Sequence, residues 1–219
     1  LQLSSPNATQ PTVETFLSGY EKQPLMSLEE ALKPVDHLME NLLRHVADAK
    51  RHCAKDQDGL TQDESASIRI FSMEGGETSL YKIFNDTLRS ENRDKIKPWF
   101  PYLKLFMTAL HILPSFQGVV WRGVLRDLSK EYTKGQLHAW WVVSSTTRDA
   151  SILQSFMGQS GNRTLFTIEC RNGKSIKNHS TYPEEEVLLM PGFYFEITSV
   201  FEATPGMDII ALKEIDSPW

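Results

Sequence analysis

The hydrophobic residues of the first half of the chain recur at the spacing of an α-helix. The clearest case runs from Val35 to Val46, where apolar residues stand three or four positions apart, and it predicts a long amphipathic helix that ends near Cys53. Capping-box patterns and prolines mark the other helix starts. The predicted helices begin near Ser27, Val35, Thr61, Ser79 and Pro98.

Short β-branched and aromatic runs, separated by Gly, Asn and Pro, replace the helical pattern after Pro114. Helices followed by strands indicate an α+β fold rather than alternating βαβ units, and the short loops favour antiparallel neighbours. We therefore expect an N-terminal helical lobe followed by a mostly antiparallel β core of two sheets. The predicted strands are Gly118–Gly123, Leu137–Ser145, Leu165–Cys170, Val187–Met190, Phe193–Phe201 and Met207–Ile215.

The predicted elements divide the chain into an arm and one domain. Residues 1–26 are rich in Ser, Pro, Thr, Gln and Asn and have no hydrophobic period, which indicates an extended arm. Residues 27–219 form the predicted single domain, with the helical lobe in residues 27–114 and the β core in residues 115–219. No stretch inside that range is typical of a linker.

Composition and charge narrow the classes of partner. The chain has 219 residues and a formal net charge of −5, which argues against a surface for nucleic acids or anionic membranes. No apolar window reaches the length of a transmembrane helix and no signal-peptide pattern opens the chain, so we expect a soluble protein, cytoplasmic or secreted. Cys53 and Cys170 form either one disulfide or two buried thiols. Neither the cysteines nor the histidines have the spacing of a metal site, so no metal is expected.

Three acidic residues run directly into a short apolar strand within the stretch Tyr182–Gly192. Because side chains alternate along a strand, Glu184 and Glu186 share one face, whereas Glu185 points away and is expected to matter least. Two carboxylates about 6–7 Å apart repel each other, so the pair costs free energy of folding and suggests a functional reason for its presence. The stretch is either a solvated acidic turn that caps the strand or a pair of acids with a chemical role.

Arg122 ends an apolar strand segment and is followed by a glycine. A guanidinium in that position must find an anion or lose much of its solvation free energy. Gly123 would let a ligand approach the backbone closely. Arg122 is therefore either a clamp for a phosphate or carboxylate, or a structural residue paired with a nearby acid such as Asp127.

Four hydroxyl residues, Ser144–Thr147, end the next predicted strand. They are either ligand-binding groups or part of a turn in which Thr147 caps a helix that begins at Arg148. The polar loop Gln154–Arg163 follows and contains Phe156, which could stack on a planar ring or pack on the core.

In this order the three motifs resemble the arginine–serine–glutamate signature of the arginine-specific mono-ADP-ribosyltransferases, a family that includes vertebrate ecto-enzymes and bacterial binary toxins. Strands that end in Arg122-Gly123 and in Ser144–Thr147 precede a strand that is led by Glu184-x-Glu186. Two helical segments, Ala66–Phe71 and Leu80–Arg89, are also similar to the helical lobe of that family.

The resemblance implies NAD+ as co-substrate, bound in a cleft of the β core. Arg122 would anchor the phosphates and ribose of NAD+, with Gly123 beside it. Ser145 would open the Ser-Thr-Ser motif and contact NAD+ together with Thr146; serine is usual where this chain has Thr147. Independently of the resemblance, Phe156 in the loop Gln154–Arg163 is the aromatic residue expected to contact NAD+.

The same resemblance assigns separate roles to the two acids. Glu186 looks like the catalytic glutamate, and Glu184 looks like the acid that goes with arginine as acceptor, while the segment Gly173–Tyr182 looks like the loop that recognises the target. The implied function is transfer of ADP-ribose from NAD+ to an arginine side chain of a protein, with Arg122, Ser145, Glu184 and Glu186 as catalytic residues. An NAD+ glycohydrolase and a non-catalytic NAD-binding module are the alternatives.

Overall fold

The computed structural model describes residues 17–53, 57–73, 79–90, 92–158, 160–182 and 185–218, without the side chains of Leu153, Phe156 and Met157. Its contacts divide the chain into two units. The helical unit contains the described residues of Gln10–Pro114 and Ile176–Pro183, and the sheet unit contains those of Ser115–Ser175 and Glu184–Trp219.

The described residues of the helical unit form five α-helices and several 3₁₀ turns. The helices are α1 (Leu28–Leu32), α2 (Leu42–Arg51), α3 (Gln62–Ser72), α4 (Leu80–Arg89) and α5 (Phe100–Ile112). The 3₁₀ turns are Tyr20–Lys22, Lys33–Leu38, Gln57–Gly59, Arg93–Lys95 and Lys97–Trp99.

The predicted helix starts at Ser27, Thr61 and Ser79 are confirmed. The Ser27 and Thr61 hydroxyls each accept a hydrogen bond from the backbone N–H three residues later, and a glutamate at that position returns the bond in a capping box. The Ser79 hydroxyl accepts from the N–H of Lys82 at 3.2 Å. These signals are local, so they were readable in the sequence.

The prediction of one continuous helix from Val35 to Cys53 is wrong. The chain forms a 3₁₀ turn over Lys33–Leu38, becomes extended at Met39, and starts α2 only after Asn41. Asn41 has a φ of 56°, in the left-handed region that asparagine tolerates better than most residues. The apolar spacing spans the break because Val35 and Leu42 are both buried on either side of it.

Aromatic rings pack α3, α4 and α5 together. Phe71 of α3 lies 4.9 Å from Phe106 of α5 between ring centroids, and Phe84 of α4 lies 5.4 Å from Tyr102. All four side chains are buried. The Tyr102 hydroxyl donates to the Ser67 carbonyl at 3.0 Å, so the one polar group in this cluster is satisfied. This core fixes the orientation of α3.

In the sheet unit, the residues that the structure describes form seven strands and one short helix. The strands are β1 (Ser115–Val124), β2 (Leu137–Trp140), β3 (Ser144–Thr147), β4 (Arg163–Ser175), β5 (Glu186–Leu189), β6 (Phe193–Thr204) and β7 (Met207–Glu214). The helix, α6, spans Ser151–Met157, and a 3₁₀ turn spans Ser129–Glu131. The expected α+β class with a mostly antiparallel core is confirmed; among the strands described, β4 and β7 are the one parallel pair.

Hydrogen bonds join all seven strands in one network, in the order β1-β3-β5-β4-β7-β6-β2, rather than in the two sheets of the prediction. The reason is the length of β4. Its first half pairs with β7 from Arg163 to Glu169, and its last residues, Lys174 and Ser175, pair with β5. Since β1 pairs with β4 as well as with β3, strands β1, β3, β5 and β4 form a closed ring.

The predicted strand Leu137–Ser145 is two strands. Residues Leu137–Trp140 pair with β6, whereas Ser144–Thr147 pair with β5, so the chain changes partner between them and bends at Val142. Similarly, the predicted loop Gln154–Arg163 begins inside α6. Both errors concern long-range pairing or a short helix, which a local hydrophobic pattern does not define.

Both cysteines are buried free thiols, which decides between the two alternatives for Cys53 and Cys170. Burial raises the pKa of the Cys170 thiol to about 11 and also raises the pKa of Cys53. Among the described residues, no helix combines the length and the apolar character needed to cross a membrane.

The capping box of α3 gives a stability prediction. Replacing Thr61 by alanine removes the acceptor for the Glu64 N–H, so we expect the free energy of unfolding to fall by about 1 kcal/mol. Thr61→Ser keeps the hydroxyl and should stay within about 0.5 kcal/mol of the parent. Urea denaturation of the two variants measures both effects, and equal stabilities of Thr61→Ala and Thr61→Ser would contradict the prediction.

Candidate active site

A hydrogen bond between Ser145 and Glu186 stands at the centre of the site. The two residues lie on neighbouring antiparallel strands, where Thr147 of β3 is directly opposite Glu186 of β5 and Ser145 is opposite Leu188. Ser145 and Glu186 are therefore diagonal neighbours on one face. The Ser145 hydroxyl donates to the Glu186 carboxylate, with 2.5 Å between Oγ and Oε1. The bond sets the direction of the carboxylate.

Arg122 is linked to the same pair through the backbone of Ser145. Its Nη1 donates to the Ser145 carbonyl at 2.8 Å, across the junction of β1 and β3. Asp127, the acid proposed as a structural partner, instead accepts from the N–H and hydroxyl of Ser129. Among the described residues, Arg122 and Asp127 thus have different partners, and the proposed pairing of the two is not seen. The guanidinium of Arg122 therefore lies beside the Ser145–Glu186 pair.

The remaining hydroxyls of the Ser144–Thr147 run support the backbone. Thr146 is buried, and its hydroxyl donates to the Val187 carbonyl at 2.6 Å, so this group is used within the sheet. The Thr147 hydroxyl accepts from the N–H of Asp149 at 3.0 Å. This bond forms a turn, whereas α6 begins at Ser151, so Thr147 does not cap a helix at Arg148. Contact of Thr146 with NAD+ stays a prediction.

Glu185 is held by Arg148, a residue that the sequence motifs did not single out. The Arg148 N–H donates to the Glu185 carbonyl at 2.9 Å, and Arg148 Nη1 lies 3.4 Å from Glu185 Oε2. The guanidinium also covers the ring of Phe116, with 4.6 Å from Cζ to the ring centroid. The backbone bond extends the β3–β5 pairing by one step, so Glu185 helps to hold the start of β5.

An aromatic cluster lies under Arg122. Phe166 of β4 is directly opposite Arg122 in the strand pairing. The centroid of its ring lies 5.2 Å from the ring centroid of Tyr132 and 5.2 Å from that of Trp140. The Trp140 indole N–H donates to the Tyr132 hydroxyl at 3.0 Å. Burial raises the pKa of Tyr132 to about 12, and the hydrogen bond from Trp140 and the charges of Arg122 and Arg126 only partly oppose that rise. The phenol is therefore neutral at physiological pH.

The other predicted site residues are only partly described. Gly123 is half-buried in β1, next to Arg122 and opposite Leu165 of β4. Glu184 lies outside the described residues, and so does the side chain of Phe156, whose backbone lies in α6. Arg122, Ser145 and Glu186 are thus the predicted residues that the structure brings together.

Sequence reasoning missed Arg148, Tyr132 and Trp140. No spacing rule connects them, because Arg148 meets Glu185 through strand pairing and Tyr132 meets Trp140 across a turn. Within the described part of the chain, no group of three or more His, Cys, Asp or Glu is arranged to hold a metal ion. The arrangement can bind an anion at Arg122 and direct a carboxylate at Glu186 towards a centre of developing positive charge.

Comparison with known protein families agrees with this arrangement. A family model described as NAD:arginine ADP-ribosyltransferase matches residues 22–218. The chain belongs to this family. The resemblance suggested by Arg122, Ser145 and Glu186 is thereby confirmed.

Two curated relatives share part of their length with this ADP-ribosyltransferase-family chain. The erythroblast NAD(P)(+)–arginine ADP-ribosyltransferase of Gallus gallus is 29% identical over 164 residues, which are 70% of this chain and 52% of that protein. Mav of Mycobacterium avium (strain 104) is 29% identical over 110 residues, which are 48% of this chain and 13% of that protein. The chain spans about half the length of the first relative and a smaller part of the second.

Solved structures of ADP-ribosyltransferases have the same fold. The eucaryotic mono-ADP-ribosyltransferase ART2.2 aligns with a TM-score of 0.63 at 19% identity, over 98% of this chain and 95% of that one. Vis of Vibrio splendidus, solved in complex with agmatine, aligns with a TM-score of 0.59 at 23% identity, over 90% of each chain. HopU1 of Pseudomonas syringae aligns with a TM-score of 0.59 at 20% identity, over 93% of this chain and 98% of that one. Identities this low support the fold alone.

The shifted pKa of Tyr132 predicts a loss of stability at alkaline pH. The folded state keeps a phenol proton that the unfolded chain loses above about pH 10, so the folded state binds more protons between about pH 10 and 12. The contribution of Tyr132 is therefore fully present below about pH 10 and is lost as the pH rises towards 12. We expect the free energy of unfolding, relative to Tyr132→Phe, to fall by about 1.3 kcal/mol between pH 9 and pH 11.

Urea denaturation of the parent and of Tyr132→Phe at both pH values measures this difference. Loss of the Trp140–Tyr132 hydrogen bond shifts the variant equally at pH 9 and pH 11, so it does not mask the effect. A difference between the two proteins that does not change with pH would refute the raised pKa.

Proposed function

We propose that the protein is a mono-ADP-ribosyltransferase that moves ADP-ribose from NAD+ to an arginine side chain of a protein and releases nicotinamide. The observation that carries the proposal is the Ser145–Glu186 hydrogen bond, 2.5 Å long, next to the guanidinium of Arg122. Membership of the NAD:arginine ADP-ribosyltransferase family supports it.

Arg122 would hold the anionic part of NAD+. A guanidinium has five N–H donors in a fixed plane, and the Ser145 carbonyl takes one of them. The others suit the oxygens of a diphosphate. Because Arg122 is held to the backbone of Ser145, a diphosphate bound there is placed in a defined position relative to the Ser145 hydroxyl and to Glu186.

Glu186 would act on the bond between nicotinamide and ribose. That bond breaks through a transition state with oxocarbenium-ion character, as in glycoside hydrolysis, and nicotinamide leaves as a neutral group without a strong general acid. A carboxylate directed at the ribose stabilises the positive charge that develops there and can accept a hydrogen bond from the 2′-hydroxyl. Ser145 keeps the carboxylate in that direction.

The acceptor needs a second acid. An arginine side chain has a pKa above about 12 and arrives protonated, so it cannot attack until a proton is removed. Glu184 stands two residues before Glu186 and would take that proton as the new C–N bond forms. Water can act as the acceptor without proton removal by Glu184, so hydrolysis of NAD+ to free ADP-ribose is the competing reaction.

Incubation of the protein with NAD+ and an acceptor tests the proposal. Agmatine, a guanidine compound found in complex with the structurally similar Vis, is a suitable small acceptor, and an arginine-rich protein is the natural counterpart. We expect nicotinamide release and an ADP-ribosyl adduct that mass spectrometry localises to the guanidine group. Folded protein that gives neither product would overturn the proposal. Free ADP-ribose as the sole product would instead favour an NAD+ glycohydrolase.

Replacing Glu186 by glutamine should lower nicotinamide release by about 10²–10³-fold, because the amide keeps the shape but loses the charge that stabilises the transition state. Ser145→Ala should cost less, about tenfold, because it removes only the hydrogen bond that directs the carboxylate. Glu169→Gln, on an exposed position of β4, is the matched control and should leave the rate unchanged. Equal effects of Glu186→Gln and Glu169→Gln would contradict the catalytic role.

Replacing Glu184 by glutamine should separate the two reactions. Transfer to agmatine should fall by about 10²-fold or more, the usual size of a general-base contribution, whereas hydrolysis of NAD+ should stay within about threefold of the parent. The measurement is the ratio of agmatine adduct to free ADP-ribose at equal NAD+ turnover. Equal losses of adduct and of free ADP-ribose would show that the two acids do not have separate roles.

A further inference from the structure

Three side chains from different parts of the sheet unit meet just before Glu186. Arg148 follows β3, Glu185 precedes β5, and Phe116 lies near the start of β1. Arg148 Nη1 is 3.4 Å from Glu185 Oε2, and the guanidinium carbon lies 4.6 Å from the centroid of the Phe116 ring. The Arg148 N–H also donates to the Glu185 carbonyl at 2.9 Å. We call Phe116, Arg148 and Glu185 the clasp.

Two glycines make room for the ring of the clasp. A Cβ at Gly118 would stand 2.8 Å from Phe116 Cζ, closer than a Cβ approaches a neighbouring carbon. Gly173 of β4 is directly opposite Phe116 in the strand pairing, and a Cβ there would lie 2.7 Å from Val187 Cγ1 and 3.6 Å from Phe116 Cδ1. The ring thus occupies space that a residue larger than glycine would take, so the platform under Arg148 has a defined position.

The turn that carries Arg148 is fixed by its own hydrogen bonds. The Thr147 hydroxyl accepts from the N–H of Asp149 at 3.0 Å, and the Asp149 carboxylate accepts from the N–H and the hydroxyl of Ser151 at 2.8 and 2.6 Å. The backbone of Arg148 is therefore held, and the ring beneath its guanidinium restrains the side chain. An arginine restrained in this way loses less conformational entropy in an ion pair than one on a freely moving side chain.

Glu186 stands at a weak point of the sheet. It is the first residue of β5, and its partner Thr147 is the last residue of β3, so the two form the final step of this ladder. The ends of hydrogen-bonded elements open more readily than their middles. The hydrogen bond from Arg148 to the Glu185 carbonyl adds one step beyond Glu186, and the ion pair adds a side-chain contact at the same step.

The clasp holds β5 from the face opposite the Glu186 carboxylate. Side chains alternate along a strand, so Glu185 and Val187 point to one face and Glu186 points to the other. Val187 belongs to the buried core, whereas the Glu186 carboxylate meets the Ser145 hydroxyl. The clasp therefore acts on the backbone of β5, while Ser145 acts on the carboxylate itself.

We propose that Arg148, supported by Phe116, positions Glu186 for cleavage of the nicotinamide–ribose bond by fixing Glu185 and the start of β5. The proposal rests on the proposed function. It gives a role to Glu185, the acid that the alternation of side chains predicts to matter least. Arg148 and Glu185 are positioning residues, because they act on NAD+ through Glu186. Transfer and hydrolysis both need Glu186, so both should depend on the clasp equally.

Substitutions in the full chain test this role. Arg148→Gln removes the charge, Arg148→Lys keeps it, and Glu185→Gln removes the carboxylate that the arginine holds. The double variant Arg148→Gln/Glu185→Gln removes both charges. Arg171→Gln is the matched control, because the Arg171 side chain is also 43% exposed and its ion pair with Asp216 links β4 to the chain after β7 rather than to β5. Urea denaturation gives the folded fraction of each variant.

Initial rates of nicotinamide release per folded molecule provide the first readout. We expect kcat without an acceptor to fall about fivefold in Arg148→Gln, the size of effect that a restrained ion pair can supply. The KM for NAD+ should stay within about twofold, because a misplaced carboxylate weakens the transition state more than the bound substrate. Arg148→Lys should keep about half of the parent rate or more, and Arg171→Gln should match the parent.

The double variant shows whether Arg148 acts through Glu185. In the Glu185→Gln background, Arg148→Gln should change kcat by less than about twofold, because the contact that it removes is already lost. Independent, multiplying losses from the two substitutions would overturn the proposal, as would a loss in Arg171→Gln equal to that in Arg148→Gln. Transfer to agmatine should fall by the same factor as hydrolysis, and a loss confined to transfer would also overturn it.

Hydrogen exchange provides a second readout that needs no activity. The N–H at position 148 donates to the Glu185 carbonyl, so its protection factor should fall about fivefold in Arg148→Gln and stay unchanged in Arg171→Gln. Unchanged protection in Arg148→Gln would overturn the clasp, and an unchanged kcat would overturn its positioning role. A parent without nicotinamide release would overturn the proposed function and the positioning role with it, while the exchange result would still decide whether the clasp holds the start of β5.

Discussion

The hydrogen bond from Ser145 to Glu186 depends on the register between β3 and β5. A shift of one residue would turn the Ser145 side chain to the opposite face, because strand side chains alternate. The register is held by burial, since Val187, Leu188 and Leu189 are all almost inaccessible to solvent. The Thr146 hydroxyl adds a bond to the Val187 carbonyl. The apolar half of β5 thus determines the position of its polar first residue.

The charged groups of Arg122 and Glu186 each form a hydrogen bond with a neutral group of Ser145. Arg122 donates to a backbone carbonyl, and Glu186 accepts from a hydroxyl. A direct pair would neutralise both charges and would satisfy each with the other. Ser145 joins them through its carbonyl on one side and its hydroxyl on the other. A guanidinium held by a carbonyl can still bind an anion, and a carboxylate directed by a hydroxyl can stabilise a developing cation.

The parts of the structure that the sequence predicted are those with local signals. The capping boxes at Ser27 and Thr61 involve residues three positions apart, and the β-branched runs identify strands without reference to their partners. The Arg122, Ser145 and Glu186 motifs each end or begin a strand, so their strand assignment and order were also readable. That these residues lie close together could be expected only from the resemblance to a known family, because Ser145 and Glu186 are 41 positions apart in the sequence.

The missed features are those that arise from long-range pairing. The change of partner that splits Leu137–Ser145 and the double use of β4 follow from the sheet order, which no hydrophobic period records. Ser65 and His179 are 114 positions apart, and each is unremarkable in its own segment. The stretch Tyr182–Gly192 contains a local signal, because three acids directly before an apolar strand are unusual. The residues that hold the preceding segment in place gave no comparable signal.

The contacts between α3 and residues 179–181 of the helical unit are polar, which is itself an argument for a positional role. Apolar side chains of similar size could stabilise these residues as well, because burying polar groups gives little net free energy even when each is satisfied. Apolar packing, however, tolerates small shifts and rotations, whereas the Ser65, Arg69 and Ser72 bonds are directional. A shift of these residues along α3 would leave a buried imidazole and a buried serine without partners. The network thus favours a single position of these residues relative to the helix that holds them.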